Sequence, residues 1–248
     1  MTAPVFVVDE VPGAGEFVLG GPEGRHAVSV KRLRAGEAVV LTDGLGRWAD
    51  GVVKAAEGKD RLVVTDLHEV HEEPVPAPRI TVVQALPKGD RGELAVETMS
   101  ETGVDVIVPW AAARCVTQWK GERGLKALGK WRATAREAGK QSRRVRFARV
   151  ADAMTTKQVA AFLANAEFAA VLHEDREYPA LPLATVALPA AGEIVLVVGP
   201  EGGVSPAELE MFTGAGAKVC RLGRSVLRTS TAGTAAGALL LGRTGRWA

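Results

Sequence analysis

Ile194-Val195-Leu196-Val197-Val198-Gly199-Pro200-Glu201-Gly202-Gly203, followed by Val204 and then Ser205-Pro206-Ala207-Glu208, decides the fold. The five apolar residues form an unbroken run, as in a parallel strand buried on both faces. Three glycines in the next five residues allow positive φ and let backbone approach a ligand closely. Ser205, Pro206 and Glu208 have the layout of a capping box, with Ser as N-cap, Pro at the first helical position and Glu at the third. Gly214 and Gly216 end that helix. The segment therefore reads strand, tight glycine loop, helix. The loop is either a small-molecule site at the strand's end or an ordinary turn. It is not the GxxxxGK[ST] of a phosphate loop, and it is not the GxGxxG of a dinucleotide fold.

Outward from this segment, residues 79–248 alternate strands and helices. Expected strands are Ile80–Leu86, Asp105–Trp110, Val145–Val150, Phe168–Leu172, Glu193–Val198 and Lys218–Arg221. Expected helices are Gly92–Glu101, Gly121–Lys140, Thr156–Leu163, Pro206–Gly214 and Ser230–Leu241. Such alternation predicts an α/β domain: a mostly parallel sheet with helices on both faces and ligands beyond the carboxyl ends of the strands. A second loop follows the last strand, Leu222-Gly223-Arg224-Ser225-Val226-Leu227-Arg228, and leads into a helix of small and apolar residues. Arg224 and Arg228 either pair with Glu201 or Glu208 or hold an anion.

Residues 1–73 differ in character. Phe6-Val7-Val8, residues 38–42, 48–53 and 62–64 are short β-prone runs separated by Gly/Asp turns, and residues 26–34 suggest a short helix ending near Gly36. This spacing predicts a small β-barrel. Pro74, Pro76 and Pro78 make residues 74–78 an extended linker. The expected division is thus 1–73, 74–78 and 79–248.

The chain has 248 residues, 47% apolar and 24% charged, with a net charge of +2, enough to build two packed cores. Total charge does not argue for nucleic acid, but its distribution does. Between Arg114 and Arg149 stand twelve Lys/Arg against only Glu122 and Glu137. Arg123, Lys126 and Lys130 share one helix face, and Arg143 and Arg144 follow; Arg25, Lys31, Arg32 and Arg34 form a second cluster. Both are expected to meet RNA phosphates, the alternative being a solvated helix face. Cys115 and Cys220 lack metal-site spacing and read as reduced, buried thiols, the alternative being a single disulfide. The first ten residues read as a strand rather than a signal peptide, and no window is long and apolar enough for a membrane helix, so a cytoplasmic protein is expected. His68 and His71 read as solvated, and no metal is expected. Trp110, Trp119 and Trp131 read as packing residues, and His173 as either a pocket residue or a strand-end histidine.

The 199–208 segment, together with Leu222-Gly223 and Val226-Leu227-Arg228-Thr229, resembles the RsmE family of 16S ribosomal RNA methyltransferases. Gln84-Ala85-Leu86-Pro87-Lys88-Gly89-Asp90, Glu97, Glu101-Thr102-Gly103-Val104 and Ala135–Ser142 agree, and residues 26–44 are similar to the family's PUA-like RNA-binding domain. The resemblance implies a SPOUT fold with a C-terminal trefoil knot, a rare exception to the rules of chain connection. It also implies a homodimer, S-adenosylmethionine as cofactor, and N3-methyluridine in small-subunit RNA as product. Leu196, Gly199, Gly202, Leu222, Gly223, Leu227, Thr231 and Ala232 would then surround the donor. Arg228 would stabilise charge on the target base, with Lys88 or Arg91 behind it, and Glu201 is a candidate base or donor-orienting group. Ser230 stands where the family often has Glu, and Gly139-Lys140 replaces a more usual Ala-Glu. Three other readings fit the same residues: a related knotted methyltransferase acting on a ribose 2′-hydroxyl or a tRNA base, a non-catalytic RNA-binding assembly factor, and a nucleotide-dependent oxidoreductase.

Overall fold

A computed structural model describes residues 3–174 and 178–247. The chain divides into two compact units, one running to Val75 and including Arg136–Phe147, the other comprising Pro76–Ala135 and the chain from Ala148 onward.

The first unit contains β1 (Val5–Val7), β2 (Gly15–Leu19), α1 (Gly21–Arg25), a π-helical turn (His26–Val30), β3 (Ala38–Thr42), β4 (Arg47–Glu57), β5 (Arg61–Leu67) and β6 (His71–Glu72). They form a six-stranded sheet ordered β1-β3-β4-β5-β2, with β6 beside β4. Only β1 and β3 are parallel; the other pairs are antiparallel. Alternate side chains of β4 point inward, and Phe6, Leu19, Leu41, Ala49, Leu62 and Leu67 fill the core. The helix expected over 26–34 starts earlier, because Pro22 presets a helical φ in its first turn. It ends earlier too, because Arg32 turns left-handed with φ 55°.

The second unit contains β7 (Arg79–Ala85), α2 (Arg91–Thr102), β8 (Val106–Ala111), α3 (Gly121–Gln141), β9 (Arg149–Val150), β10 (Met154–Thr155), α4 (Thr156–Leu163), β11 (Phe168–Leu172), β12 (Leu181–Pro182), β13 (Glu193–Val198), α5 (Pro206–Gly214), β14 (Lys218–Arg221) and α6 (Thr229–Arg243). The last turns of α3, from Arg136, belong to the first unit. The eight strands run in the order β10-β8-β7-β13-β11-β14-β12, with β9 beside β8. Every pair is parallel. The apolar run of β13 therefore lies between β7 and β11, and Ile194 to Val197 are fully buried. Helix α2 ends at left-handed Gly103 and packs on α6, where the Thr98 and Thr234 hydroxyls meet at 2.7 Å and Gly233 gives room to Met99.

One expected strand is corrected. Of residues 145–150 only Arg149–Val150 joins the parallel sheet. Val145 and Phe147 instead belong to the first unit, where the Val145 carbonyl accepts from Thr42 Oγ1 at 3.0 Å and Phe147 N donates to the Gly44 carbonyl at 2.9 Å. Short hydrophobic runs do not reveal which of two sheets will claim them.

Candidate functional site

Because the strands are parallel, the loops after β7, β11, β13 and β14 all leave the same edge of the sheet. Together they enclose a cavity of about 1120 Å³ lined by Lys88, Gly89 and Arg91, by residues 172–174, 198–201 and 221–229, and by Ala232, Arg91 being its member from α2.

The Gly199–Gly203 loop is held at each point. The Thr229 hydroxyl donates to the Gly199 carbonyl at 2.8 Å. Glu201 accepts the backbone N–H of Lys88 at 3.1 Å, tying the β13 loop to the β7 loop. Arg114 donates to the Gly202 carbonyl at 3.0 Å. Gly203 N–H closes a turn onto Pro200, and Gly203 has φ 71°, a left-handed value that glycine adopts without strain. A Cβ on Gly203 would lie 3.0 Å from the Glu174 carboxylate. On Gly199 it would lie 2.9 Å from the Val204 side chain. The φ of Gly203 favours glycine, and at Gly199 any side chain would force Val204 to shift.

The capping box at α5 has the expected reciprocal form. The Ser205 hydroxyl and N–H both donate to Glu208 Oε2, at 2.7 and 3.0 Å, and Glu208 N–H returns to the hydroxyl. The other oxygen of Glu208 accepts from Ala113 N–H at 2.7 Å and from the Thr156 hydroxyl at 3.1 Å. Burial disfavours ionisation of this carboxyl, but the hydrogen bonds from Ala113, Ser205 and Thr156 outweigh it and hold its pKa below the ordinary range. Glu208 is thus a structural junction. Among the described residues it makes no ion pair with Arg224 or Arg228, and Glu201 makes none with Arg228 either. Arg228 is exposed; its carbonyl caps α6 by accepting from Thr231 and Ala232.

Of the residues expected around the donor, Gly199, Leu222, Gly223, Leu227 and Ala232 line the cavity, as do Arg228, Glu201, Lys88 and Arg91. Three do not. Leu196 is fully buried within β13, its backbone held by the flanking strands. Gly202 turns toward Arg114. Thr231 is exposed in the first turn of α6. The structure adds Leu172, Glu174, Val198, Arg221 and Thr229. The first four sit on or beside strand ends and Thr229 opens α6, and only the strand order brings β11 between β13 and β14. His173 also lines the cavity, its ring stacked on Tyr178 at 5.2 Å.

Arg25, Lys31, Arg32 and Arg34 are exposed around the end of α1 and the turn after it. Arg123, Lys126 and Lys130 are exposed on α3. The surplus of ten charges overstates the free basic surface. Arg132 pairs with Asp152 at 2.8 Å, Arg136 with Glu23 at 3.5 Å, and Lys140 is only 4% exposed, between Glu23 and Glu137. Arg143 and Arg144 are half-buried, and Arg143 takes φ 62°. Trp110 and Trp131 are buried, while Trp119 is partly exposed. Cys115 and Cys220 are buried free thiols whose pKa burial raises. The His71 ring lies tilted at 31° against Trp48, with centroids 5.1 Å apart. Among the described residues no cluster could hold a metal ion, and no helix is long and apolar enough to cross a membrane.

Comparison with known proteins places this architecture. Residues 73–241 match the family described as "RNA methyltransferase domain", and residues 19–67 match "RNA methyltransferase PUA domain". The chain is similar to the "Ribosomal RNA small subunit methyltransferase E" of Mycobacterium bovis, 44% identical over all of this chain and 94% of that protein. It is 29% identical to the protein of the same name from Bacillus subtilis, over 90% and 88% of the two chains. Among solved structures it resembles ribosomal RNA small subunit methyltransferase E of Neisseria gonorrhoeae bound to S-adenosyl methionine, with TM-score 0.83, 27% identity and 98% of each chain covered. It also resembles a Legionella pneumophila methyltransferase in complex with SAM, with TM-score 0.81, 25% identity and 98% coverage of both. With its strand order, its glycine loop and its near-complete match to the Mycobacterium bovis protein, the chain belongs to the ribosomal RNA small subunit methyltransferase E family.

Proposed function

We propose that this chain transfers a methyl group from S-adenosylmethionine to N3 of a uridine in 16S ribosomal RNA. The observation that carries the reading is the single cavity edge where the loops after β13 and β14 meet, pinned by Thr229 on Gly199.

The cavity fits the donor. Val198, Leu222, Leu227 and Ala232 supply the apolar walls an adenine needs, and Gly199 and Gly223 offer backbone N–H and C=O groups with no side chain in the way. Glu174 and His173 at the end of β11 are the polar groups nearest to suit ribose hydroxyls. When bound, S-adenosylmethionine supplies a methyl already activated on a sulfonium. The protein's part is then to place a nucleophile in line with it and exclude water. Uridine N3 carries a proton at neutral pH, and its loss spreads negative charge onto the ring carbonyls. Arg228, exposed on the cavity wall, is positioned to hold that charge, with Lys88 on the β7 loop and Arg91 at the start of α2. Glu201 is committed to Lys88 N–H, which favours a loop-orienting role over proton abstraction. N3 lies on the pairing edge, so the base enters unpaired or flipped out.

The trefoil threading, the homodimer and the cytoplasmic setting implied by the family belong to the same proposal, as does the division at residues 74–78. Exposed Arg123, Lys126 and Lys130, with Arg25, Lys31, Arg32 and Arg34, are the proposed phosphate contacts. The test is incubation with small subunits lacking the modification, followed by mass analysis of nucleosides, alongside calorimetry with S-adenosylhomocysteine. N3-methyluridine is the expected product; donor-analogue binding without that nucleoside would overturn the assigned reaction.

A further inference from the structure

A second cavity, of about 560 Å³, opens on the loop that follows β7. Gly89 lines both this cavity and the donor cavity, so the two share one loop. Its aromatic wall is Trp119 edge-on to Trp131, with centroids 4.9 Å apart and planes at 79°. Trp131 is the buried floor, 3% exposed, and lies against α2 where a Cβ on Gly92 would be 2.8 Å from the ring. Trp119 is partly exposed. The Thr117 hydroxyl donates to the Pro87 carbonyl at 2.8 Å, so the loop carrying Trp119 is tied to the loop carrying Gly89 before any ligand arrives. Lys126 and Lys130, one turn apart on α3, stand at the rim. Lys130 is paired with Glu93 at 3.1 Å, and among the described residues Lys126 has no ion pair.

We propose that this pocket binds a nucleobase of the same RNA strand, next to the uridine being methylated. The inference rests on the proposed function and extends it to a neighbouring subsite. Extruding a uridine leaves its neighbour without a stacking partner. A partly exposed tryptophan can replace that stacking with any base, and a flanking lysine takes the adjoining phosphate. Aromatic surface joined to cationic charge suits a nucleotide better than an apolar peptide side chain, which has no use for Lys126.

The test is RNA affinity in the presence of S-adenosylhomocysteine, which needs no methyl transfer, measured on small-subunit RNA with Trp119→Ala, Trp119→Phe and Ala127→Leu. Ala127 lines the pocket without belonging to the tryptophan pair, so leucine there fills the space. Trp119→Ala is expected to weaken RNA binding about tenfold, the usual worth of one stacked base. Trp119→Phe should restore most of it, Ala127→Leu should reproduce the loss, and affinity for S-adenosylhomocysteine should stay constant. A 5-iodouridine placed beside the target should photo-crosslink to Trp119. Unchanged RNA affinity in Trp119→Ala, a parallel loss of donor-analogue affinity, no rescue by phenylalanine, or an altered oligomeric state in Ala127→Leu in place of weaker RNA binding would overturn the proposal. A wild-type protein that binds this RNA but makes no N3-methyluridine would sink the reaction while leaving the pocket to be decided by the same affinities.

Discussion

The hydroxyl of Thr229 donates to the carbonyl of Gly199 at 2.8 Å, joining the first turn of α6 to the glycine loop after β13 across 30 residues of chain. The bond is partly buried, and its acceptor sits where the donor's adenosyl moiety is proposed to lie. Thr229→Val keeps the shape and removes the donor. It is expected to cost about 1 kcal/mol of stability and to weaken S-adenosylhomocysteine binding severalfold, while Thr229→Ser retains both. Calorimetry and thermal unfolding of the pair check this; equal affinities for valine and serine variants would remove the bond from the site.

Arg228 lines the cavity without a carboxylate partner at Glu201 or Glu208. Arg228→Ala should therefore lower turnover more than donor affinity, by about 10²-fold if it stabilises charge that develops only during transfer. Steady-state kinetics beside calorimetry separate the two. Equal losses in turnover and affinity would place Arg228 in the donor site instead.

Glu208 gives a pH dependence of known sign. Its native carboxyl binds a proton less tightly than the unfolded one, whose pKa is about 4.3. The stabilisation it provides is complete above that value and is lost as pH falls through the native pKa. Glu208→Gln should lose about 1–3 kcal/mol at neutral pH and show a shallower decline of stability in acid. Denaturant melts from about pH 3 to about pH 7, which span the carboxylate pKa, read both. Parallel curves for the two proteins would deny Glu208 this role.

Lys140 sits 4% exposed beside Glu23 at 2.9 Å and His26 Nδ1 at 3.4 Å. Burial, and then Lys140, lower the His26 pKa below 6.5. Lys140→Ala leaves Glu23 partly unpaired and should cost about 3 kcal/mol, and His26 should titrate at higher pH. Proton NMR of the imidazole checks the second effect even if the first is blunted by Arg136, which lies 3.5 Å from Glu23. An unmoved titration would show that the ammonium does not act on the ring.

Charge reversal at Lys126 and Lys130 should weaken RNA binding, most strongly at low salt, because each lost phosphate contact removes released counterions. Filter binding across a salt series gives the slope. Unchanged affinity at low salt would take this face of α3 out of the RNA interface.

Several features are decided by local sequence. The capping box Ser205–Glu208 formed as its spacing dictates, because its atoms lie within one helical turn. Strand β13 and helices α4 and α5 have the bounds that periodicity and turn residues predict. Only the tertiary structure decided that β11 separates β13 from β14, and so that Leu172, His173 and Glu174 border the cavity. It also decided that Leu196, two residues from the end of a fully paired apolar run that continues into Gly199, stays inside the sheet, and that residues 145–147 join the other unit. Residue identity fixes what a backbone segment prefers within a turn or two. Which strand pairs with which, and hence which loops meet, depends on burial summed over distant segments, and no single stretch of sequence carries that sum.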